Sequence, residues 1–354
     1  MKNKKTNKSR NVNLDLLRFL GVLIIMVAHA KPPSVFFQLR NFGTPLLIVA
    51  SSLTYAFIYK NKSIELIPFY KKRITKLTLP AWIFLIVFFL LFYVVTFIFN
   101  QDYPFNINTV ISTFLFYEGI GFVWILKIYL MLALLTPFGL RFSNSKIRNR
   151  AYFSIIFLFY VLYELGNYFV SDYIPVESLH LIENTILLVF PYTALYLYGL
   201  RLNNMKTHHV IYVTIFSLLI FIIMAIKKYY SNGIFVSTQN YKYPPTLYYL
   251  SYALFWVNLI YLMIFRYSVI NFVKYKKVLI WLSSNSLWIY LWHILAYYLW
   301  KNFFGHYEII GLFILKFIFL LSFGIIITKI QLDLVNRMLP TKNKILIKII
   351  PYIK

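Results

Sequence analysis

Cysteine is absent from the 354 residues. That excludes disulfides, thiolate nucleophiles and cysteine-ligated metals. Acidic residues are scarce, ten against 36 lysines and arginines, and only 13% of the chain is charged. Soluble domains carry about 25% charged residues, so no large solvated surface is available. Also missing is any polar stretch long enough for a second domain. The longest connections, 61–78, 100–121 and 229–246, have roughly twenty residues each. No convincing internal repeat is present, which removes one support for a transporter built from inverted halves.

What is there is apolar: 60% of residues are hydrophobic, with 35 Phe and 31 Tyr. The surplus falls in runs of about twenty residues, the length a spanning helix needs. The pattern predicts an all-α, polytopic membrane bundle with ten spans, at roughly 13–31, 42–60, 79–99, 122–140, 151–171, 181–200, 209–228, 247–266, 278–300 and 308–330. No cleavable leader is expected, because Lys31-Pro32-Pro33 follows the first run and nine more runs come after it.

A net charge of +26 would suggest nucleic acid in a soluble protein. Its distribution points to membrane topology instead. With a cytoplasmic N-terminus, 27 of the 36 basic residues fall on the inner side. The outer side receives Lys31, Arg40, Lys227, Lys228, Lys242 and Lys301, and Arg18, Lys127 and Lys316 lie within spans. This asymmetry puts both termini in the cytoplasm. The expected partners are membrane lipids, whose anionic headgroups suit the basic loops, and no nucleic acid. A basic N-tail (1–12) and a basic C-tail (331–354) flank a single transmembrane domain.

Ionisable residues inside spans are costly and mark function by default. In NLDLLRFLGVLIIMVAHA (13–30), Arg18 and His29 stand eleven residues apart. Three helical turns leave only about 20° of drift, so both share one face, about 16 Å apart along the axis. Arg18 also has the simpler reading of a snorkelling side chain, with Asp15 as its helical partner. Lys127, Glu164, His293 and Lys316 fall, like His29, in the outer half of their spans. The five either line one polar cavity open to the outside or are independently paired and snorkelling. A histidine near neutral pH can take a proton from a hydroxyl and return it to a leaving group. A cation at the inner end suits a phosphate-bearing donor. Further out, NGIFVSTQNYKYPPTLYYL places Tyr241, Tyr243, Tyr248 and Tyr249 around Pro244-Pro245. This is either an interfacial aromatic belt with a helix start or a sugar-stacking lid.

LDLLRFLGVLIIMVAHA resembles the opening helix of the membrane-bound acyltransferase-3 family, which acylates cell-surface polysaccharides and related glycans. That helix carries an Arg, ten residues and a His, matched by Arg18 and His29. NFGTPLLIVASSLT is similar to its second helix, with Pro45 kept and Ser51-Ser52 in place of Ser-Gly. FYKKRITKLTLPAWIF resembles its basic loop, with Arg73 matching the first Arg and Lys76 replacing a second. FVWILKIYLMLALLTPF resembles its Trp-containing helix, here Trp124 ending at Pro137. Many members have a His two before that Trp, where this chain has Phe122. LSSNSLWIYLWHILAYY resembles the penultimate-helix signature through Asn285, Ser286, Tyr290, Leu291 and His293.

The resemblance implies a ten-helix enzyme that uses an acyl-CoA, usually acetyl-CoA, from the cytoplasm. His29 would be the essential catalytic residue, and Arg18 its partner in donor binding or transfer. Arg73, with Lys76 beside it, would contact donor phosphates. Trp124, Lys127, Glu164, His293 and Lys316 are candidates for the acceptor side, and no metal is expected. The chain is thus expected to be an O-acyltransferase of the bacterial cell membrane. It would move an acetyl or succinyl group to a glycan hydroxyl, beside a polysaccharide synthase or export machinery. A glycan transporter is the rival that an outward cavity also fits, and a scaffold within a synthase complex is a second.

Overall fold

The computed structural model describes residues 10–60, 62, 64–117, 119–173, 182–268, 275–304, 312–338 and 350. Lipid offers the backbone no hydrogen-bond partner, so each apolar run satisfies its own N–H and C=O groups as a helix. Among the described residues there is no β-strand. The helices are α1 (Val12–His29), α2 (Ser34–Leu39), α3 (Gly43–Ile58), α4 (Leu66–Ile98), α5 (Ile107–Phe114), α6 (Trp124–Ser143) and α7 (Asn149–Tyr173). They continue with α8 (Leu188–Leu202), α9 (Thr207–Asn232), α10 (Leu247–Tyr261), α11 (Lys276–Ser284), α12 (Ser286–Phe304) and α13 (Leu312–Met338). A π-turn opens α8 (Glu183–Leu187) and another closes α10 (Leu262–Arg266).

Among the described residues nine helical stretches are long and apolar enough to cross a membrane, and the pair α11–α12 makes a tenth if counted as one span. Ten crossings put residues 10 and 338 on the same side. Helix and span limits differ in informative ways. α4 begins at Leu66, well before residue 79, because the basic stretch FYKKRITK stays helical after leaving the apolar zone. α13 runs to Met338, into the expected tail. The rest of that tail, apart from Ile350, and residues 1–9 lie outside the described residues.

α1 is the central rod. It packs against α3, α11, α12 and α13. Its start is capped by Asn11, whose side chain accepts from the Asn13 N–H at 3.0 Å. Its end is set by Lys31, which takes a left-handed backbone (φ 56°), and by Pro32-Pro33, which cannot continue the helix. His29 is therefore held at the outer tip. Within a bilayer, helices associate by close packing, which small residues permit. Gly21 of α1 is such a contact: a Cβ there would sit 2.6 Å from Leu47 Cγ on α3.

One apolar cluster joins α1, α3, α8 and α10 through Leu17, Leu46, Tyr192 and Tyr249. A second joins α1, α4, α6 and α12 through Met26, Phe88, Leu126 and Leu291. α7 and α9 are peripheral, with Phe157, Leu158, Phe216 and Ile223 exposed where lipid would lie.

α11 and α12 meet at a 68° bend. The break falls at Asn285, whose amide donates to the Trp281 carbonyl at 2.8 Å. The Asn-Ser of the penultimate-helix signature is this break. It ends α11 with Ser283 donating to Asp15 of α1 and Ser284 accepting from Arg10.

Candidate active site

His29 at the tip of α1 meets His293 of α12. Nδ1 of His29 lies 2.7 Å from Nε2 of His293. The rings are within 3° of parallel and their centroids are 5.0 Å apart. With the nitrogens this close, that is an in-plane hydrogen bond and not a face-to-face stack. The direction of the bond follows from the next partner. His293 Nδ1 abuts the Tyr290 carbonyl oxygen, which only accepts, so that nitrogen carries the proton. Nε2 of a neutral His293 is then an acceptor, and His29 Nδ1–H donates to it. This leaves Nε2 of His29 with its lone pair, as the nitrogen available to the cavity that His29 lines. His293 is fully buried. Phe122 packs edge-on to the His29 ring, with centroids 4.6 Å apart, and its carbonyl accepts from the Tyr290 hydroxyl at 2.7 Å.

The cavity holds about 160 Å³ and is lined by His29, Arg40, Trp124, Gln239, Lys242 and Tyr243, among others. Two outer connections form its roof. Gln38 and Asn41, on either side of Arg40, both reach Thr238: Gln38 Nε2 at 3.0 Å and Asn41 Nδ2 at 2.8 Å. The Thr238 N–H returns a bond to Gln38 Oε1 at 3.0 Å. This clasp brings Arg40 together with Gln239 and Lys242. The Lys242 ammonium lies 5.2 Å over both the Trp124 and Tyr243 rings. Burial pushes its pKa down to about 7, and neighbouring Arg40 acts in the same direction. The Arg40 guanidinium carbon sits 3.8 Å over the Phe37 ring.

At the inner end of α1, Arg18 donates to Thr54 Oγ1 at 3.1 Å and to Ser283 Oγ at 3.4 Å. Asp15 is 3.8 Å from it. The stronger partner of Asp15 is Arg10, which grips the carboxylate with two bonds of 2.7 and 2.8 Å. Ser283 adds a third at 2.8 Å. Arg73 lies over the Tyr55 ring at 5.2 Å, within electrostatic reach of Arg18, and its Nε is buried without a hydrogen-bond partner. Lys76, one turn further along α4, is exposed and within electrostatic reach of Arg73 and Arg18. The two ends of α1 thus differ: a basic inner mouth, and an imidazole pair under an outer roof.

The expectation of one cavity shared by His29, Lys127, Glu164, His293 and Lys316 needs correction. His29 and His293 are bonded directly, and Trp124 lines their cavity. Lys316 is buried behind an aromatic wall, with its ammonium 4.8 Å over Tyr297. Tyr297 in turn faces His29 with centroids 6.3 Å apart. Lys127 and Glu164 are elsewhere. Lys127 donates to the Asn184 carbonyl at 2.7 Å and the Tyr117 carbonyl at 3.3 Å. Glu164 accepts from the Tyr160 hydroxyl and from the Leu247 backbone, tying α7 to α10. Both are spent on tertiary structure, because equal depth in the membrane does not set a common azimuth. The tyrosines of the seventh connection also divide. Tyr248 and Tyr249 are buried in the core, whereas Tyr243 is exposed beside the cavity.

Arg40, Lys242 and Gln239 were not among the candidates read from the sequence. The available signal was Arg40 and Lys242 standing on the outer side, against the positive-inside trend. Among the described residues no cluster of His, Asp or Glu could hold a metal ion.

No curated protein and no solved structure matches this chain. Residues 11–329 match the family model described as an acyltransferase domain, a stretch that begins at the cap of α1 and ends within α13. The paired imidazoles, the basic inner mouth and this match over nearly the whole chain agree: the protein belongs to the acyltransferase-3 family and is a multi-pass membrane acyltransferase.

Proposed function

We propose that this protein is an O-acyltransferase of the bacterial cell membrane. It takes an acetyl or succinyl group from an acyl-CoA on the cytoplasmic side and delivers it to a hydroxyl of a surface or exported glycan. The observation that carries the reading is the chain of bonds from the Tyr290 carbonyl through His293 to His29. It presents a base of fixed tautomer at the floor of an outer cavity.

The donor's phosphates rest on Arg18 and Arg73, with Lys76 alongside. Its extended pantetheine arm covers the roughly 16 Å rise of α1 between Arg18 and His29. His29 Nε2 takes the proton of the acceptor hydroxyl as that oxygen bonds to the thioester carbonyl carbon. The resulting imidazolium keeps its Nδ1–H on His293. Collapse of the tetrahedral intermediate breaks the carbon–sulfur bond, and the proton on His29 Nε2 passes to the departing thiolate. The products are the ester and the free thiol. A thioester is already activated, so positioning and proton transfer are the main demands on the protein. A polysaccharide synthase or exporter would supply the acceptor at the outer cavity, and anionic lipids would hold the basic inner loops.

The test uses the full-length protein in lipid nanodiscs with acyl-labelled acetyl-CoA and total envelope glycan. Label should move to glycan in a form released by mild base, as an ester is. His29→Ala should abolish that transfer while the protein inserts normally. Transfer that persists at the wild-type rate in His29→Ala would refute the assignment.

A further inference from the structure

Two cations roof a cavity whose floor is the His29–His293 pair. Neither Arg40 nor Lys242 lies within ion-pair distance of an acid among the described residues, where both ion pairs are made to Asp15. None of the residues lining the cavity is acidic. A buried Lys242 and a half-buried Arg40 without a countercharge are costly unless something else neutralises them. Both lie against aromatic rings, Arg40 over Phe37 and Lys242 over Trp124.

Two further polar atoms at this roof are buried without partners. Arg40 Nε lacks an acceptor, and Gln239 Oε1 lacks a donor. The pocket is therefore lined by two cations and an indole around a catalytic imidazole, with one unspent donor and one unspent acceptor set in its wall. A negatively charged group satisfies the cations, and a hydroxyl that draws the Gln239 amide inward satisfies the acceptor. Trp124 supplies a face of the kind on which pyranose rings stack. The cations sit on the outer connections, at the acceptor's side and away from the inner mouth assigned to the donor.

Resting on the acyl-transfer reading above, we infer that the acceptor is an anionic sugar. Its carboxylate or phosphate lies between Arg40 and Lys242, a neighbouring hydroxyl donates to Gln239, and the hydroxyl to be acylated faces His29. Arg40 and Lys242 then select the acceptor. They do not take part in proton transfer.

The experiment measures equilibrium binding of labelled D-glucuronate, D-glucose 6-phosphate and D-glucose to the full-length protein in nanodiscs of neutral phosphatidylcholine. Release of free thiol from acetyl-CoA is followed in parallel. At least one charged sugar should bind about tenfold or more tightly than glucose, and which one identifies the charged group. Arg40→Gln and Lys242→Gln should each remove the preference while acetyl-CoA affinity at the inner mouth and the thermal unfolding temperature stay at wild-type values, which shows that the variants fold. Lys242→Arg should keep the preference. The inference is overturned if glucose binds as tightly as both charged sugars, if none of the three binds, or if the preference survives both glutamine substitutions. It is also overturned if succinate outcompetes the charged sugars and Lys242→Gln lowers turnover only with succinyl-CoA, which would place the charge on the acyl group. Absence of any preference in the wild-type protein, beside His29-dependent thiol release, counts against this inference alone. Thiol release unaffected by His29→Ala counts against the acyl-transfer reading instead.

Discussion

His29 and His293 stand 264 residues apart in the chain and share a hydrogen bond of 2.7 Å between coplanar rings. In acyl-transfer sites the group behind the catalytic histidine is commonly a carboxylate, which fixes the tautomer and stabilises the imidazolium. Here a neutral imidazole occupies that place, itself fixed by a backbone carbonyl. It can set the tautomer, but it brings no charge.

The first prediction separates those two contributions. His293→Ala should lower kcat for acyl transfer by about 10²-fold, less than the roughly 10⁴-fold seen when a buried carboxylate partner is disabled. The donor's KM should stay near wild type. His293→Gln, whose amide oxygen can accept from His29 Nδ1–H, should recover part of the loss. Steady-state kinetics with both variants check this; equal loss in Ala and Gln would mean that His293 serves packing only.

A second prediction concerns the inner mouth. Arg18→Ala and Arg73→Ala should raise the KM for acyl-CoA by about tenfold each, as expected for lost charge-assisted bonds. Arg18→Lys should recover only part, because one ammonium cannot keep both Thr54 and Ser283 in the geometry of the guanidinium. The KM for the acceptor should not move in any of the three.

Lys242 gives a pH dependence. Its pKa is pushed down to about 7 by burial and by Arg40, so the ammonium is present below that pH and lost above it. Binding of glucuronate, whose carboxylate is ionised throughout, should weaken as pH rises from 6 to 8. His29, His293 and Arg40 also face or support this cavity, and Lys242→Gln isolates the lysine's share. In that variant the pH slope of binding should flatten. An unchanged slope would assign the titration to the imidazoles.

Lys127 and Glu164 should behave as structural residues. Lys127→Met removes an ammonium from two backbone carbonyls and should lower stability by about 1–3 kcal/mol. Glu164→Gln should lower it less, since the amide can still accept from Tyr160. Thermal unfolding in detergent reads the losses. KM values for donor and acceptor should be unchanged below the melting range.

These outcomes bear on what was legible in the sequence. The spans were readable because lipid demands uninterrupted apolar helices. The inward start of α4 was not, since hydropathy marks the edge of the lipid and says nothing about where hydrogen bonding stops. The common face of Arg18 and His29 was readable from helical period alone. The meeting of His29 with His293 depends on how α12 rotates after the break at Asn285, which no local pattern encodes. Arg40 and Lys242 converge because Gln38 and Asn41 clasp Thr238 across about two hundred residues. Lys127 and Glu164 share the depth of His29 but not its cavity for the same reason: depth is one coordinate, and helix packing sets the other two.

α1 is a single unbroken helix from Val12 to His29, so it acts as a ruler with a phase. One residue inserted between Arg18 and His29 would lengthen it by only about 1.5 Å yet swing the imidazole through roughly 100°, away from α12. Deleting a residue would swing it equally far the other way. The separation of the two groups therefore tolerates drift far better than their angular register does, and selection on this helix should act on insertions and deletions more harshly than on the apolar side chains between them.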